Sequence, residues 1–256
     1  MDLLFLFVPW MLVALVTGGL IYRGRHAIDR TGLLVETAVV VLCYAAYYVV
    51  RALTAGSESA AIDNAGMIID AQRWLRIYIE ADVQELFAGT RASATAMNWI
   101  YIWWHWPVII TAAVWLFLQH RAAYTRYRNA FVLSGAVGLL FFALFPVAPP
   151  RLADAAFVDT LSRYSEAYRT FETPRLVNQY AAFPSLHFGW NLLVSIALVR
   201  ESRAWWAKLI GVLSPPTVLI AIMATANHFL IDAAAGAAVC VGALLLAGAR
   251  QRQTRA

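Results

Sequence analysis

Residues 228–248 read HFLIDAAAGAAVCVGALLLAG and decide the fold class of this 256-residue chain. The stretch is about as long as a helix that crosses a bilayer, roughly 20 residues. Comparable apolar stretches recur along the whole sequence, which favours one helical bundle over several domains. We predict an all-α, polytopic membrane fold with about seven transmembrane helices. Their predicted bounds are 3–22, 33–53, 97–118, 129–148, 186–200, 206–225 and 228–248.

The composition argues against a soluble protein. Mean hydropathy is +0.63 and 14% of the residues are charged, against about 25% in typical soluble domains. The pI of about 9.4 does not indicate a nucleic-acid partner, because the basic residues cluster beside apolar stretches, as expected for contact with anionic membrane lipids. Cys43 and Cys240 lie inside apolar stretches, where thiols pack as hydrophobes, so a Cys-based metal cluster is excluded.

The basic residues of the short connections set the predicted orientation. Every second connection is basic, so we place these connections in the cytoplasm, with the N-terminus outside and the C-terminus inside. They contain Arg23, Arg25 and Arg30; Arg121, Arg126 and Arg128; Arg200, Arg203 and Lys208; and Arg250, Arg252 and Arg255. The first stretch has no basic leader and no cleavage pattern, so we interpret it as a retained span in a multi-pass cell-membrane protein.

We treat residues 1–256 as one membrane domain. It comprises two N-terminal transmembrane helices (1–53), an extracytoplasmic segment (54–96) and a helical core (97–248). In the middle segment, a helical pattern separates an apolar face from a polar one. The apolar face has Ile68, Leu75, Ile79 and Leu86, and the polar face has Asp70, Arg73, Glu80 and Gln84. This indicates an amphipathic helix on the membrane surface; a lid packed over the bundle explains the pattern equally well.

Three side chains are candidates for catalysis. Asp232 lies inside a predicted span. A charged side chain there costs free energy, so Asp232 is a candidate functional residue. It follows His228 by four residues, so both share one helical face and the carboxylate can fix the imidazole tautomer. His187 opens another span, and Ser185 before it can cap the helix start, which favours binding of an anion such as phosphate. One helix down and one back returns both histidines to the outer face.

Further polar residues have two interpretations each. Arg151 can bind phosphate with its planar fork of donors or anchor the chain at the lipid headgroups. His105 lies in an aromatic segment that suits either a substrate pocket or an interfacial belt. Asn191 and Asn227 can contact substrate or only bond neighbouring helices. Two histidines and a carboxylate brought to one face are harder to explain by packing, so we predict catalysis.

The motifs Pro184-Ser185-Leu186-His187 and His228-Phe229-Leu230-Ile231-Asp232 resemble the second and third signatures of the type 2 phosphatidic acid phosphatase superfamily. The resemblance covers roughly residues 97–248 and implies a six-helix core. Leu186 replaces the glycine usual in lipid phosphatases. With Ala148-Pro149-Pro150-Arg151 and Asn178-Gln179-Tyr180-Ala181-Ala182-Phe183, it brings the chain closer to the inositol phosphorylceramide synthase branch.

The resemblance implies that His228 is the nucleophile, that Asp232 orients it, and that His187 protonates the leaving alcohol, without metal or cofactor. The first family motif is missing, and Ile222 replaces the usual arginine before the nucleophile. The phosphate clamp is therefore expected from the outer connection. The expected substrate contacts are Arg151 first and Arg175 second, ahead of Arg163 and Arg169, together with Ser185, Leu186, His105, Asn191, Asn227 and Tyr180.

The predicted function is that of a membrane lipid phosphotransferase or phosphatase with an extracytoplasmic site. Its partners are a lipid phosphate or phospholipid substrate, membrane lipids and an acceptor, either an alcohol or water; nucleic acid is not expected. Two alternatives remain open. One is a metal or proton transporter with a His/Asp relay, although no inverted repeat is apparent. The other is a catalytically inactive lipid-binding protein.

Overall fold

The structure is a computed structural model that describes residues 30–53, 58–165 and 178–253, together with Gly18 and Ile21. The predicted span 3–22 lies outside the described residues apart from these two. The described part of the chain is all-helical. Its helices are α1 (Arg30–Leu53), α2 (Glu58–Leu75), α3 (Glu80–Ala88), α4 (Arg91–Trp103), α5 (Trp106–Gln119), α6 (Arg121–Leu144), α7 (Pro150–Ala153), α8 (Thr160–Tyr164), α9 (Leu186–Glu201), α10 (Trp205–Ala224) and α11 (Leu230–Gln253).

Four helical stretches of the described residues are long and apolar enough to cross a membrane, which confirms a helical membrane protein. They are Arg91–Gln119, which joins α4 and α5, then α6, α10, and Leu230–Gln251 in α11. A shorter apolar helix covers Leu34–Val50, inside the predicted second span. The predicted fifth span is α9, which has 16 residues, fewer than the roughly 20 of a full crossing. It packs between α10 and α11 as the central helix of the bundle.

Three of the predicted basic connections, those near Arg126, Arg200 and Arg250, meet at one end of the described bundle. Arg126 at the start of α6 pairs with Glu201 at the end of α9, with 2.5 Å between Nη2 and Oε1. Gln251 at the end of α11 donates to the carbonyl of Ala122 at 2.8 Å. We call this the basic end. Helices α9 and α11 both begin at the opposite end, which we call the motif end.

The segment predicted to hold one surface helix is divided into α2 and α3. Arg76 has a φ of 59°, its amide bonds the Arg73 carbonyl, and the Ile77 amide bonds that of Gln72. These are the two bonds of a Schellman motif, which ends a helix at a residue in the left-handed region. Glycine usually occupies this position, and an arginine there does not indicate that the helix ends.

The break reverses the faces predicted for the second half of this segment. Leu75, Ile79 and Leu86 are exposed, whereas Glu80 and Gln84 are buried. As far as Arg73 the pattern holds within α2, since Ile68 is buried and Asp70 and Arg73 are exposed; Leu75, the last residue of this helix, departs from it. The turn between the helices changes the direction of the chain, so the periodicity of α2 does not continue into α3. Polar side chains of α3 therefore point into the protein.

Helix α2 packs onto the loops that carry the motifs. The Ala61 carbonyl accepts from the Ala148 amide at 3.0 Å, and Asn64 donates to the Pro146 carbonyl at 2.8 Å. Val147 pairs in turn with residues 180–182 through two backbone hydrogen bonds. The loop before Arg151 is thereby held beside the loop that leads to α9. This layered arrangement covers the motif end.

Candidate active site

Backbone contact between α9 and α11 brings the two histidine motifs together. The Ser185 amide donates to the Asp232 carbonyl at 2.9 Å. A Cβ atom on Gly236 would lie 2.1 Å from the Ser185 carbonyl oxygen, and one on Gly189 would lie 2.6 Å from the Gly236 oxygen. Any side chain at these positions would separate the helices. The glycines therefore set the distance between the start of α9 and the start of α11.

We expect Gly236→Ala to lower both activity and stability, because its methyl group meets backbone that cannot rotate away. Overpacking of this kind costs about 1–3 kcal/mol, and a displacement of about 1 Å at a reacting group can lower a rate about 100-fold. Thermal unfolding and turnover of a lipid phosphate measure the two effects. Gly242→Ala on the same helix is the matched control, since nothing lies within 4 Å of its added Cβ. Equal behaviour of the two variants would contradict the proposed contact.

The Ser185 side chain caps α9, as the sequence predicted. Its Oγ accepts from the Phe188 amide at 3.3 Å, and Ser185 is fully buried. The first amides of a helix, here those of Leu186 and His187, have no acceptor within the helix and suit an anion. The Leu186 side chain points elsewhere, against Gly138 of α6, where a Cβ would lie 2.6 Å from the leucine Cδ1. Leu186 can therefore contribute its backbone amide, but not its side chain, to an anion site.

His228 is held in one tautomer by the loop before α9. Its Nδ1 lies 2.9 Å from the Ala182 carbonyl oxygen. A carbonyl can only accept, so Nδ1 carries the proton and Nε2 has the lone pair in the neutral ring. Asp232 approaches the same Nδ1 at 3.7 Å and is itself fixed by the Phe229 amide at 2.7 Å. The ring therefore presents an unprotonated nitrogen and has a buried carboxylate behind it.

His187 lies in a stack of aromatic rings beside His228. Tyr101 stacks on one side at 4.3 Å between ring centroids, and His105 on the other at 4.0 Å. The ring centroid of His228 is 6.4 Å from that of His187. The predicted meeting of both histidines at one end is thus confirmed. His187 Nε2 and His105 Nδ1 are buried and have no hydrogen-bond partner within the described part of the chain, so no protein group occupies either ring nitrogen.

Arg151 contacts Asn227, the residue that precedes His228. Its Nη1 donates to the Asn227 side-chain oxygen, and its backbone amide donates to the Ala226 carbonyl at 3.1 Å. The guanidinium also lies 3.7 Å from the Asp159 carboxylate, and 7% of the Arg151 side chain is exposed. Two side-chain contacts and one backbone contact therefore hold Arg151 next to Asn227, the residue before His228. Of the other expected arginines, Arg163 is exposed on α8, and Arg169 and Arg175 lie outside the described residues.

Two further predicted contacts have structural partners. The Asn191 amide bonds Ser214 of α10, with 3.0 Å from its Nδ2 to the serine Oγ, which matches the interhelical interpretation of this residue. The backbone of Tyr180 accepts from the Val147 amide at 2.8 Å and so belongs to the loop pairing at the motif end. A substrate contact by either residue stays a prediction.

Sequence reasoning missed Glu80 and Gln72. Glu80 Oε1 accepts from the Leu230 amide at 2.6 Å and from Gln72 Nε2 at 2.8 Å. Gln72 Oε1 accepts from the Ile231 amide at 2.9 Å. Both side chains, each fully buried, cap the helix that follows His228. The Schellman motif at Arg76 could not be predicted from the sequence. In an uninterrupted helix, Glu80 would lie on the solvent-exposed face.

These features define a helical membrane protein with a His/His/Asp site at one end of its bundle. The family model described as the PAP2 superfamily matches residues 66–246, and the chain belongs to that superfamily. No curated protein and no solved structure matches the chain significantly. The match begins at residue 66, so it includes most of α2 and all of α3, which the resemblance of the motifs had left outside. Superfamily membership identifies an enzyme of the phosphoesterase or phosphotransferase kind.

Proposed function

We propose that this chain is an integral-membrane enzyme that transfers or hydrolyses the phospho-headgroup of a lipid through a phosphohistidine intermediate. One observation carries the proposal: the Ala182 carbonyl bonds Nδ1 of His228, which leaves Nε2 as the nucleophile beside His187. Covalent catalysis of this kind divides one difficult displacement into two easier steps.

In the first step, Nε2 of His228 attacks phosphorus, and the bond between phosphorus and the lipid alkoxide breaks. His187 donates its proton to the leaving oxygen, so the lipid departs as an alcohol. The phosphorylated ring of His228 carries positive charge, which the buried Asp232 carboxylate stabilises. In the second step, water or an acceptor alcohol gives its proton to His187 while its oxygen attacks phosphorus. The bond from phosphorus to Nε2 breaks, and both histidines return to their starting states.

The phosphate oxygens require donors, and the buried Arg151 supplies the first of them in this proposal. Its contact with Asn227 holds it beside the nucleophile. The amides of Leu186 and His187, with the Ser185 cap, add the positive end of the α9 dipole. His105 extends the stack along His187. Arg175, Tyr180 and Asn191 complete the proposed set.

We assign the motif end to the extracytoplasmic face of the cell membrane. The support is the excess of arginine and lysine at the basic end, which the positive-inside rule places in the cytoplasm. Leu186 and the 148–151 and 178–183 segments favour the inositol phosphorylceramide synthase branch, whose members transfer a phospho-headgroup between lipids. Water and an alcohol compete for the same intermediate, so the acceptor decides between hydrolysis and transfer.

The intermediate is the direct test. We expect purified full-length protein, mixed with a lipid carrying labelled phosphate and quenched within one turnover, to retain label that is stable in base and lost in acid, as a phosphohistidine is. A chase with water should then release free phosphate, and a chase with candidate acceptor alcohols should yield a labelled diester. A wild-type enzyme that turns substrate over without ever retaining label would exclude the covalent mechanism.

The transporter alternative receives less support. A relay requires ionisable groups at successive depths of the membrane. In the described residues, His105, His187 and His228 instead form one cluster, with ring centroids 4.0 Å and 6.4 Å apart along the series. Such a cluster suits chemistry on one bound group better than passage of an ion.

A further inference from the structure

Two polar side chains from the helices before the catalytic core cap the helix that follows the nucleophile. We infer that Glu80 and Gln72 are positioning residues, which hold the start of α11 and with it His228 in the geometry that phosphoryl transfer needs. The inference rests on the proposed function, since it assumes that His228 is the nucleophile. It assigns a part in the reaction to α2 and α3, which otherwise form a cover over the motif end.

Glu80 is a buried carboxylate surrounded by N–H donors. Its Oε1 accepts from Leu230 and Gln72, and its Oε2 accepts from its neighbour Ile79 at 3.1 Å. Burying a carboxylate is costly unless hydrogen bonds compensate it. The start of a helix provides such compensation through its unpaired amides and the positive end of its dipole. Glu80 therefore binds α11 more strongly than a neutral acceptor would.

Gln72 connects this cap to the next amide. Its Nε2 donates to Glu80, and its Oε1 accepts from Ile231 at 2.9 Å. Helices α2 and α3 thus bind two successive amides of α11 through side chains that also bind each other. A displacement of either helix would move both caps together. The first turn of α11 is consequently attached to the cover as well as to the bundle.

The nucleophile lies in the short turn just before these capped amides. That turn begins at Ala226, whose φ is 52°, and the amides of Asn227 and His228 both bond the Ile222 carbonyl, at 3.0 and 3.3 Å. Helix α10 therefore fixes the turn from one side, and Glu80 with Gln72 fix it from the other. Loosening the second attachment frees the first turn of α11, and the direction of His228 Nε2 changes with it.

Alanine variants test this attachment. We expect Glu80→Ala and Gln72→Ala to lower kcat by about 10- to 100-fold with KM unchanged, because a small misplacement of the reacting group has effects of this size. The rate at which labelled phosphate appears on the enzyme in one turnover should fall by the same factor. KM should not change because the hydrogen bonds of Glu80 and Gln72 are to protein groups. A merely structural role would lower thermal stability without this division between kcat and KM.

The same helices offer matched controls. Glu85 is an exposed glutamate on α3, so Glu85→Ala should leave kcat within about twofold, as surface substitutions usually do. Gln84 is a buried glutamine on α3 whose amide bonds Val158 and the Ala224 carbonyl. Gln84→Ala should lower the thermal midpoint like Gln72→Ala but keep kcat per folded molecule. It separates loss of packing in the cover from loss of the α11 cap.

Exchanging the two residues provides a rescue. Gln72→Glu alone brings two buried carboxylates together and should be the most damaging single change. With Glu80→Gln added, Gln and Glu can again bond each other, and both α11 amides keep an oxygen acceptor. We expect the double variant to recover most of the kcat lost by Gln72→Glu. The effects of the two substitutions should therefore be strongly non-additive, as is usual for residues in contact.

Failure of the inference differs from failure of the proposed function. Suppose that Glu80→Ala and Gln72→Ala have the same kcat as the controls Glu85→Ala and Gln84→Ala, while His228→Ala is inactive. The positioning role is then wrong, and His228 is still supported as the nucleophile. An unimproved double variant would likewise overturn the positioning role. If His228→Ala keeps full activity, the proposed function itself fails, whatever the cap variants do.

Discussion

His228→Ala should lower the turnover of a lipid phosphate by at least about 1000-fold, since loss of a covalent nucleophile removes the lowest-energy route altogether. Alanine offers no lone pair where Nε2 stands, and the first step cannot occur. The expected residual activity is that of water attacking phosphate still held by the surrounding donors. The substrate for the assay is whichever lipid the wild type turns over fastest in a panel of phosphomonoesters and phosphodiesters.

The control for this variant is a histidine remote from the site. His120 lies between α5 and α6 and contacts Trp115 with 4.8 Å between ring centroids. His120→Ala removes the same group, and we expect it to retain wild-type turnover within about threefold. Thermal unfolding of both variants establishes that each is folded. Full activity of folded His228→Ala would refute the nucleophile and the mechanism built on it.

Much of this fold could be predicted because bilayer crossing imposes simple rules on the sequence. Length and hydropathy located α6, α10 and α11, and the alternating basic connections placed their ends. The same count of crossings brought His187 and His228 to one end without knowledge of any contact. Ser185 indicated the start of α9, because serine is a preferred N-cap residue and it directly precedes the apolar stretch. These features depend on local sequence and on the membrane.

The parts that could not be predicted depend on tertiary contact. Arg76 adopts a left-handed conformation that glycine usually provides, so the turn between α2 and α3 could not be predicted from the residue type. Glu80 was therefore assigned to the exposed polar face, whereas it is buried. The sequence predicts that Asp232 can fix the tautomer of His228, but it does not predict that the Ala182 carbonyl lies closer to Nδ1, at 2.9 Å against 3.7 Å for Asp232. A backbone group is present at every position, so its special use leaves no trace in the sequence.

The stack around His187 shows the same limit. His105 had two equally good interpretations in sequence, and Tyr101 had none. In the structure both rings stack on His187, at interplanar angles of 16° and 6°. The break between α4 and α5 falls next to His105, within the stretch predicted as a single span. Stacking on both faces limits rotation of the His187 ring, which suits its proposed role as the proton donor to the leaving oxygen.

We expect His187→Ala to lower turnover of a lipid phosphate by about 100- to 10,000-fold, the usual contribution of a general acid. An alkoxide is a poor leaving group and needs a proton as its bond to phosphorus breaks. A nitrophenolate leaves without one. If His187 protonates the leaving oxygen, the loss should be much smaller with a nitrophenyl ester of the same phospho group than with the alkyl ester.

The ratio of rates for the two esters is therefore more informative than either rate. In His187→Ala the ratio should shift strongly toward the nitrophenyl ester, whereas His120→Ala should keep the wild-type ratio. A residue that only supports the pocket would lower both rates alike. An unchanged ratio in a folded His187→Ala variant would show that His187 is not the proton donor. A shifted ratio would distinguish the role of His187 from that of His228. Loss of His228 should affect both esters, because each requires the same attack on phosphorus.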